Sequence, residues 1–236
     1  MATTNAIGSS KPIEVAFGGT GRATLTNNGV LVGATTSAIT QLAVGTNGQC
    51  LVGSTGAAPV FATLASPKST ITYTTGAGSV GLDIAAIPSF FAYRSAPIGN
   101  VTGDGTTYTP SFNIEQFDTL GNFASSTFTA PTNGLYCFGS QITLTNLTTA
   151  HTQLNFYAIL STGQTYSLAY NNPGALMATS GSANQLTLSG STLFTMSAGV
   201  TCSIRIQVAG STKTVGTAGD AGGGQTIFWG YKVSTL

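Results

Sequence analysis

Residues 123–142 read FASSTFTAPTNGLYCFGSQI, from Phe123 to Ile142. A Thr-rich segment ends at Ala130, the turn residues Pro131-Thr132-Asn133-Gly134 follow, and an apolar segment begins at Leu135. Pro, Asn and Gly supply the backbone angles of tight turns, while Thr and aromatic residues favour strands. The order predicts two strands joined by a tight reversal, and a β-rich domain around them.

The composition extends this prediction to the whole chain. Only 6% of the residues are charged, against about a quarter in an ordinary soluble domain. Helices need long runs of Ala, Glu, Lys and Arg, which are missing here. The 31 Gly, the 8 Pro and the many β-branched residues favour short strands joined by turns. We therefore expect an all-β protein.

The charge pattern argues against two kinds of partner. A net charge of +1 without a Lys/Arg cluster gives no field for a phosphate backbone, so we expect no nucleic-acid binding. No apolar run reaches the roughly 18 to 20 residues that cross a bilayer, and the first residues lack the features of a secretion signal. We expect no membrane insertion, and assembly in a cytoplasm.

The three cysteines, Cys50, Cys137 and Cys202, form no close pair. Neither a zinc ribbon nor a disulfide framework is indicated. Cys202 alternates with Ile204 and Ile206, which predicts a thiol on the inner face of a strand that packs as a small apolar group. The spacing leaves open one bridge between Cys137 and Cys202.

Aromatic residues divide the chain into two parts. Only Phe17, Phe61 and Tyr73 precede Phe90, and the other eighteen lie from Phe90 onward. Large side chains contribute most of the apolar burial, so only the second part can build its own core. We predict a stem over residues 1–89 and a head over residues 90–236. The stem must gain its stability by wrapping around identical chains.

The predicted stem contains a weak repeat of about twenty residues. Asn28-Gly29-Val30-Leu31-Val32-Gly33 recurs as Asn47-Gly48-Gln49-Cys50-Leu51-Val52-Gly53. Each copy offers an Asn-Gly turn, a short apolar strand and a closing Gly. A further hairpin is predicted between Ile71–Thr75 and Val80–Ile84. An ordinary pair of hairpins explains the repeat as well as an elongated shaft does.

Two sets of motifs resemble known families. The quoted stretch, with Phe117–Asn122 before it and the closing Thr226–Val233 strand TIFWGYKV, resembles the globular head of complement component one-q and its tumour-necrosis-factor relatives. Phe17–Arg22 and Gly56–Val60 lie in a region, Ile13 to Leu64, that resembles stem segments of bacteriophage tail fibres. The first resemblance implies a ten-stranded jelly roll, a β-sandwich, assembled as a homotrimer.

Ten head strands are predicted, a number that fits a jelly roll. They cover residues 90–95, 107–112, 123–129, 135–144, 153–160, 166–170, 185–188, 192–196, 202–208 and 226–233. The strand Leu154–Leu160 is apolar on both sides, so both of its faces should be buried. We therefore predict that Tyr157 and Ile159, or else Phe156 and Ala158, contact a neighbouring subunit. A covering loop is the alternative.

No catalytic group is predicted. Gly76-Ala77-Gly78-Ser79-Val80-Gly81 matches a dinucleotide-binding fingerprint, but no helix can follow before Pro88, so a hairpin turn is the better interpretation. His151 is predicted to be a loop residue, and Asp104 to serve the backbone of a turn. Convergence of Asp104, Glu115 and Asp118 into a carboxylate pair is not favoured.

We accordingly expect no enzyme activity, no cofactor and no metal. Some members of the family that the head resembles bind calcium near the trimer axis. Asp104 and Asp118 are the positions that this resemblance would use, but the sequence shows no clustered oxygen ligands around them.

Receptor contacts are expected on polar loops held by the sheets. The longest loops run from Asn171 to Ala183 and from Gly216 to Gly224. The residues predicted to contact a receptor are Tyr170, Asn171, Asn172, Met177 and Asp220. The alternative is that these loops are tolerant surface segments without a ligand.

Together these features predict a viral, most simply bacteriophage, tail fibre or spike in the virion. Its stem would bind other tail or capsid proteins, and its trimeric head would bind a host cell-surface glycan or protein. The main alternative is a trimerisation or capsid-decoration protein without receptor binding. An enzyme acting on surface polysaccharide and a cellular adhesin are less favoured.

Overall fold

A computed structural model describes residues 13–17, 19–67, 70–180 and 184–235. Strands dominate it, as the composition predicts, and the chain divides into two units, Met1–Ala85 and Ala86–Leu236. The division falls four residues before the predicted stem ends at residue 89. Among the described residues, no helix has the length and apolar character needed to cross a bilayer.

Among its described residues, the first unit contains a 3-10 turn, Val15–Phe17, and three antiparallel hairpins. They pair β1 (Val30–Val32) with β2 (Thr40–Leu42), β3 (Gln49–Ser54) with β4 (Ala57–Thr63), and β5 (Ile71–Gly76) with β6 (Ser79–Ile84). Both predicted Asn-Gly turns precede a strand, and the predicted third hairpin is confirmed. Because Ala77-Gly78 forms its two-residue turn, the dinucleotide interpretation of this segment is excluded.

The hairpins of the first unit have no core. None of the residues whose burial the structure describes in this unit, 13–16, 19–67 and 70–85, is buried. Leu82 is 59% and Ile84 is 79% exposed, although both lie on strand β6. A lone two-stranded hairpin is only marginally stable in water. The intramolecular contacts described for this unit therefore leave its apolar side chains largely unburied.

The described part of the second unit contains thirteen strands and one α-helix. In chain order they are β7 (Ser89–Tyr93), β8 (Ile98–Thr102), β9 (Thr107–Tyr108), β10 (Ile114–Asp118), β11 (Phe123–Ala124), β12 (Thr127–Thr129), β13 (Gly134–Thr145), β14 (Gln153–Leu160), β15 (Thr165–Asn171), α1 (Pro173–Ser180), β16 (Leu186–Met196), β17 (Thr201–Ala209), β18 (Val215–Thr217) and β19 (Thr226–Thr235).

These strands form two antiparallel sheets that face each other. The larger sheet has the order β10-β7-β19-β13-β18-β8, and β16 pairs with the free side of β13; the smaller sheet has the order β11-β12-β17-β14-β15, and β9 pairs with β17. From β12 onward the chain passes between the sheets repeatedly, and its first and last long strands, β7 and β19, lie side by side. This strand order is a jelly-roll β-sandwich, and the predicted fold class of the head is confirmed.

The stretch 123–142 folds differently from its predicted hairpin. Strand β12 pairs with β11 and β17 in the smaller sheet, whereas β13 lies in the larger sheet. The turn residues thus carry the chain from one sheet to the other. The tight reversal lies earlier, at Ser125-Ser126, where both residues have positive φ. Ser126 is held there because its Oγ accepts the buried Phe112 N–H at 2.8 Å.

Aromatic side chains from both sheets form the core. The ring of Phe90 lies 4.4 Å from that of Phe123, 5.3 Å from Phe128 and 4.9 Å from Phe228, measured between centroids. Each of these four residues is at most 4% exposed. Their contacts join β7 and β19 of the larger sheet to β11 and β12 of the smaller sheet, so the two layers share one core.

The strand prediction fails in several segments. The strand predicted at 107–112 covers only Thr107–Tyr108 (β9), and the one predicted at 123–129 is two strands, β11 and β12. Strands β8, β10 and β18 were not predicted, because their Gly, Asn and polar residues lack clear alternation. The two predicted strands at 185–188 and 192–196 are a single strand, β16. Ser189, Gly190 and Ser191 do not interrupt it, since they pair with Gln141, Ser140 and Gly139 of β13. Long-range pairing therefore overrides weak local strand preference here.

Gly230 provides a test of core packing. An added Cβ at this β19 position would lie 2.4 Å from a Phe138 ring carbon and 2.9 Å from a Phe90 ring carbon. We expect Gly230→Ala to lower the free energy of unfolding by about 1 to 3 kcal/mol, as overpacking does. Urea denaturation measures this. Gly99→Ala is the control, since an added Cβ there meets no described atom within 4 Å.

The three thiols are free, and Cys202 lies in the core as predicted. The bridge that the sequence left open does not form: Cys137 lies in the larger sheet and Cys202 in the smaller one. Burial raises the pKa of the Cys202 thiol above its usual range. The reactive thiolate is therefore scarce at neutral pH.

Thiol labelling checks this placement. In the native protein we expect the half-buried Cys50 to react with a disulfide reagent first and Cys202 to stay unmodified. In urea all three thiols should react, and peptide mass spectrometry locates each product. Equal native-state labelling rates at Cys50 and Cys202 would contradict the buried position.

Candidate interaction surfaces

The outer side of the larger sheet carries a continuous apolar surface, which we call the aromatic face. Strand register places its residues in three rows across the strand order β10-β7-β19-β13-β16. The rows are Phe117-Phe91-Trp229-Gly139-Ser191, then Ser89-Tyr231-Cys137-Leu193, then Ile114-Tyr93-Ile227-Gln141-Ser189. None of these side chains is charged.

Large side chains on the aromatic face are open to solvent in the single chain. Leu193 is 56%, Phe117 49% and Tyr231 43% exposed. The ring of Trp229 stacks at 6.0 Å on that of Tyr231, and it also covers Gly139, where an added Cβ would lie 2.1 Å from the indole. Contiguous apolar surfaces of this kind mark protein interaction sites.

The outer side of the smaller sheet has a different chemistry, and we call it the polar face. Its rows across β15, β14 and β17 are Tyr170-Asn155-Gln207, then Ser167-Tyr157-Arg205, then Thr165-Ile159-Ser203. Amides, hydroxyls and two tyrosines dominate. Arg205 is the one charged residue in the six strands of this sheet.

Hydrogen bonds hold part of the polar face in place. The Asn155 Nδ2 donates to Gln207 Oε1 at 3.2 Å, and the Gln207 Nε2 donates to the Gly105 carbonyl at 2.7 Å. The Arg205 Nε, by contrast, is shielded from water and has no hydrogen-bond acceptor in the described part of the chain. The amides are thus oriented by the protein, while the Nε of Arg205 is left without an acceptor.

The strand predicted to contact a neighbouring subunit, β14, has one inner and one outer side. Phe156 and Ala158 are fully buried in the core. The prediction is therefore wrong for Phe156: its side chain packs between the sheets and reaches no subunit surface. Tyr157 and Ile159 point outward on the polar face and are half-buried. Whether a second chain covers them stays a prediction.

The residues predicted to contact a receptor are not brought together in one loop. Tyr170 is 68% exposed at the edge of the polar face. Asn171 is half-buried opposite Leu154, and the Asn172 Oδ1 accepts the Ala175 N–H at the start of α1. Met177 lies on that unpredicted helix and packs against the core. The segment predicted to be a polar loop is therefore partly a helix with one inward side.

The second predicted loop is shorter than expected. Val215–Thr217 forms the buried strand β18, so exposed backbone begins only near Asp220. Both carboxylate oxygens of Asp220 accept the Gly224 N–H at 3.2 Å and close the loop. Tyr93 donates its hydroxyl to the Ala221 carbonyl at 3.3 Å. These bonds fix the loop beside the aromatic face.

All four aspartates serve the backbone. Asp83 accepts the Ile84 N–H, Asp104 the Thr106 N–H, Asp118 the Phe123 N–H, and Asp220 the Gly224 N–H. The turn role predicted for Asp104 is confirmed, and hydrogen bonds from the Thr106 side chain and then its backbone lower the pKa of this carboxyl. Within the described ranges, His, Cys, Asp and Glu form no group of three that could hold a metal ion.

His151 lies in the loop between β13 and β14, as predicted, but it is fully buried. Its Nδ1 accepts the Thr148 N–H at 3.0 Å, so the neutral ring carries its proton on Nε2. That Nε2 has no partner among the residues with described positions. The backbone carbonyl of His151 accepts the Gly174 N–H at 2.6 Å, which ties α1 to the loop. The role we assign to His151 is structural.

Sequence reasoning missed the two features that distinguish these surfaces. Alternation in β19 places Ile227, Trp229 and Tyr231 on one side, a signal that could have revealed the aromatic face. The inward alternation of Cys202, Ile204 and Ile206 also implies that Arg205 lies on the outer side, but its isolation depends on the neighbouring strands. Only the register of β14 and β17 shows that no carboxylate lies beside it.

Comparisons with known proteins give structural likenesses only. Neither a family model nor a curated protein matches the chain. The globular domain of zebrafish complement 1qA is similar at 15% identity and a TM-score of 0.40, over 63% of this chain and 99% of that one. Murine APRIL is similar at 8% identity and a TM-score of 0.42, over 63% of this chain and 100% of that one. The Eiger TNF of S. frugiperda is similar at 8% identity and a TM-score of 0.45, over 64% of this chain and 94% of that one. The jelly-roll assignment rests on the strand order described above.

Proposed function

We propose that the chain is a homotrimeric fibre or spike protein of a virus, most simply a bacteriophage, whose head attaches the particle to a host cell. The observation that carries this proposal is the contrast between the two units. The hairpins of the first unit have no buried residue in their described part, while the second unit has a complete core. An element without a core gains stability by packing against copies of itself.

The trimer contact that fits best is the aromatic face. It is broad and uncharged, and several of its large side chains are about half exposed in a single chain. Burying such apolar surface contributes about 25 cal/mol for each Å² removed from water. The polar face suits a subunit contact less well, because Arg205 and two amides would lose water there without gaining partners.

Attachment without catalysis is the function that these surfaces support. The aspartate side chains are engaged by backbone N–H groups, so we do not assign a carboxylate pair to bond cleavage. The proposal places the stem on other tail or capsid proteins and leaves the polar face and Tyr170 open for a host glycan or protein. Assembly takes place in the host cytoplasm, and the mature protein resides in the virion.

Adsorption competition tests the proposal. Purified full-length protein is added to host cells before the phage that encodes it, and free phage are then counted. We expect saturable protection, and immunogold labelling of the particles by an antibody against the chain. Labelled particles without protection would favour the trimerisation or capsid-decoration role. Absence of the chain from particles would overturn the virion assignment.

A further inference from the structure

We propose that the polar face of the head binds an acidic saccharide, with Arg205 pairing to its carboxylate and Tyr157 and Tyr170 packing against its sugar rings. This inference rests on the proposed attachment function and names the class of receptor. It also moves the receptor site from the predicted loops to the outer side of a sheet.

Arg205 supplies the charge complementarity. It is the one charged residue in the strands of the smaller sheet, and no carboxylate pairs with it in the part of the chain that the structure describes. A guanidinium presents donors in a planar fork that matches a carboxylate. Its Nε is already removed from water without an acceptor. A ligand carboxylate would pair with the terminal N–H groups of this guanidinium rather than with the shielded Nε, whereas a neutral ligand would leave the charge unpaired.

The two tyrosines supply apolar contact area. Register places Tyr157 directly opposite Arg205, and Tyr170 one row away at the sheet edge. Each ring combines an apolar surface with a hydroxyl, which suits a sugar with its C–H and O–H groups. Tyr170 is 68% exposed, so a ligand can reach it without displacing protein.

The amides supply oriented polar groups between these side chains. Asn155 lies between Tyr170 and Gln207 in its row, and the bonds from Asn155 to Gln207 and from Gln207 to Gly105 fix both amides. Fixed polar groups lose little conformational freedom when a ligand binds. The polar face therefore combines an unpaired cation, two aromatic rings and two oriented amides on one rigid surface.

The aromatic face does not offer this combination. It carries no charged side chain in its three rows and matches a second copy of the chain. The two outer sides of the sandwich therefore have separate roles in this scheme: one holds sister subunits together, and the other remains accessible in the trimer.

Calorimetric titration of the full-length protein tests the site. The probes are tetramers of glucuronate, galacturonate and mannuronate, and the matched neutral probe is cellotetraose, which has the backbone of the β-1,4-glucuronate tetramer without its carboxylates. We expect at least one uronate tetramer to bind about tenfold or more tightly than cellotetraose, the effect of one good charged contact.

Substitutions test whether the uronate binds at the polar face. Arg205→Gln is expected to weaken binding of the uronate about tenfold, with Arg205→Lys intermediate because it keeps the charge but loses the planar fork. Tyr170→Ala should weaken it several-fold. Lys213→Gln removes one positive charge from an exposed position elsewhere in the head and should change the affinity less than about twofold. Unfolding midpoints of the variants confirm that each is folded.

The outcomes separate this inference from the proposed function. Three results would overturn the saccharide site. They are equal uronate affinity in wild type and Arg205→Gln, equal affinity of the wild type for uronate and cellotetraose, and no uronate binding at millimolar concentration. If the wild type and Arg205→Gln still protect cells equally in adsorption competition, attachment stands and its site lies elsewhere. If neither protects cells, the attachment function itself fails.

Discussion

Replacing Leu193 by Glu is expected to change the assembly from three 23.7-kDa chains to one. Leu193 is 56% exposed in the single chain, so the head can fold around the new carboxylate. In the trimer that we propose, the aromatic face is covered and the carboxylate would be buried without a partner. Such burial costs several kcal/mol in each subunit. Native mass spectrometry or light scattering measures the result.

Two further substitutions decide which face makes the contact. Tyr170→Glu is the matched control, because this exposed residue lies on the opposite side of the sandwich and its replacement should leave the mass of the assembly unchanged. Ile159→Glu tests the subunit contact predicted from the sequence. A monomeric Ile159→Glu protein together with a trimeric Leu193→Glu protein would place the contact on the polar face.

The same Leu193→Glu protein also tests whether the stem is stable without sister chains. Its hairpins lack buried residues, so a separated chain should expose them to protease while the head keeps its core. We expect limited proteolysis to remove most of residues 13–85 much faster in Leu193→Glu than in wild type. An equally resistant stem in the monomer would show that the first unit is stable without sister chains.

Phe90→Ala is expected to produce the largest loss of stability among substitutions in the head. Its ring is 1% exposed and contacts four other aromatic rings from both sheets. Removing a buried Phe side chain costs about 3 to 5 kcal/mol, from lost burial and from the cavity left behind. Denaturation at one fixed protein concentration measures it, because subunit assembly couples to stability.

Two further substitutions show how much of the lost stability comes from the buried Phe90 ring. Phe90→Leu keeps most of the apolar volume and should cost less than half as much. Tyr170→Ala removes an exposed ring and should stay within about 0.5 kcal/mol of wild type. A cost below 1 kcal/mol for Phe90→Ala would mean that the two sheets do not depend on this cluster.

Local pattern was enough to predict most strands of the sandwich, and the family resemblance supplied the jelly-roll order. Alternation in Cys202–Val208 and the apolar run Leu154–Leu160 identified the two central strands of the smaller sheet, β17 and β14. The Asn-Gly turns located the starts of β1 and β3, and the Gly-rich segment located the third hairpin of the first unit. These features depend on neighbours in sequence, so the sequence alone carries them.

Features that depend on distant partners were not predictable in the same way. The turn after Ala130 has the residues of a hairpin, yet its two strands belong to different sheets, because β12 pairs with β17 and β13 with β19 and β16. The helix Pro173–Ser180 has no regular amphipathic pattern, and its Met177 meets a core built by strands elsewhere in the chain. Arg205 is isolated only because β14, and not an acidic strand, lies beside it.

The position of β19 constrains how the protein is made. This strand lies between β7 and β13, and more than 130 residues separate it from β7 along the chain. During translation the larger sheet stays in two pieces until Thr226–Thr235 leave the ribosome, so the aromatic face cannot form before that point. In the trimer that we propose, sister subunits would therefore recognise each other only after synthesis has passed this strand, which would protect partly made chains from premature association.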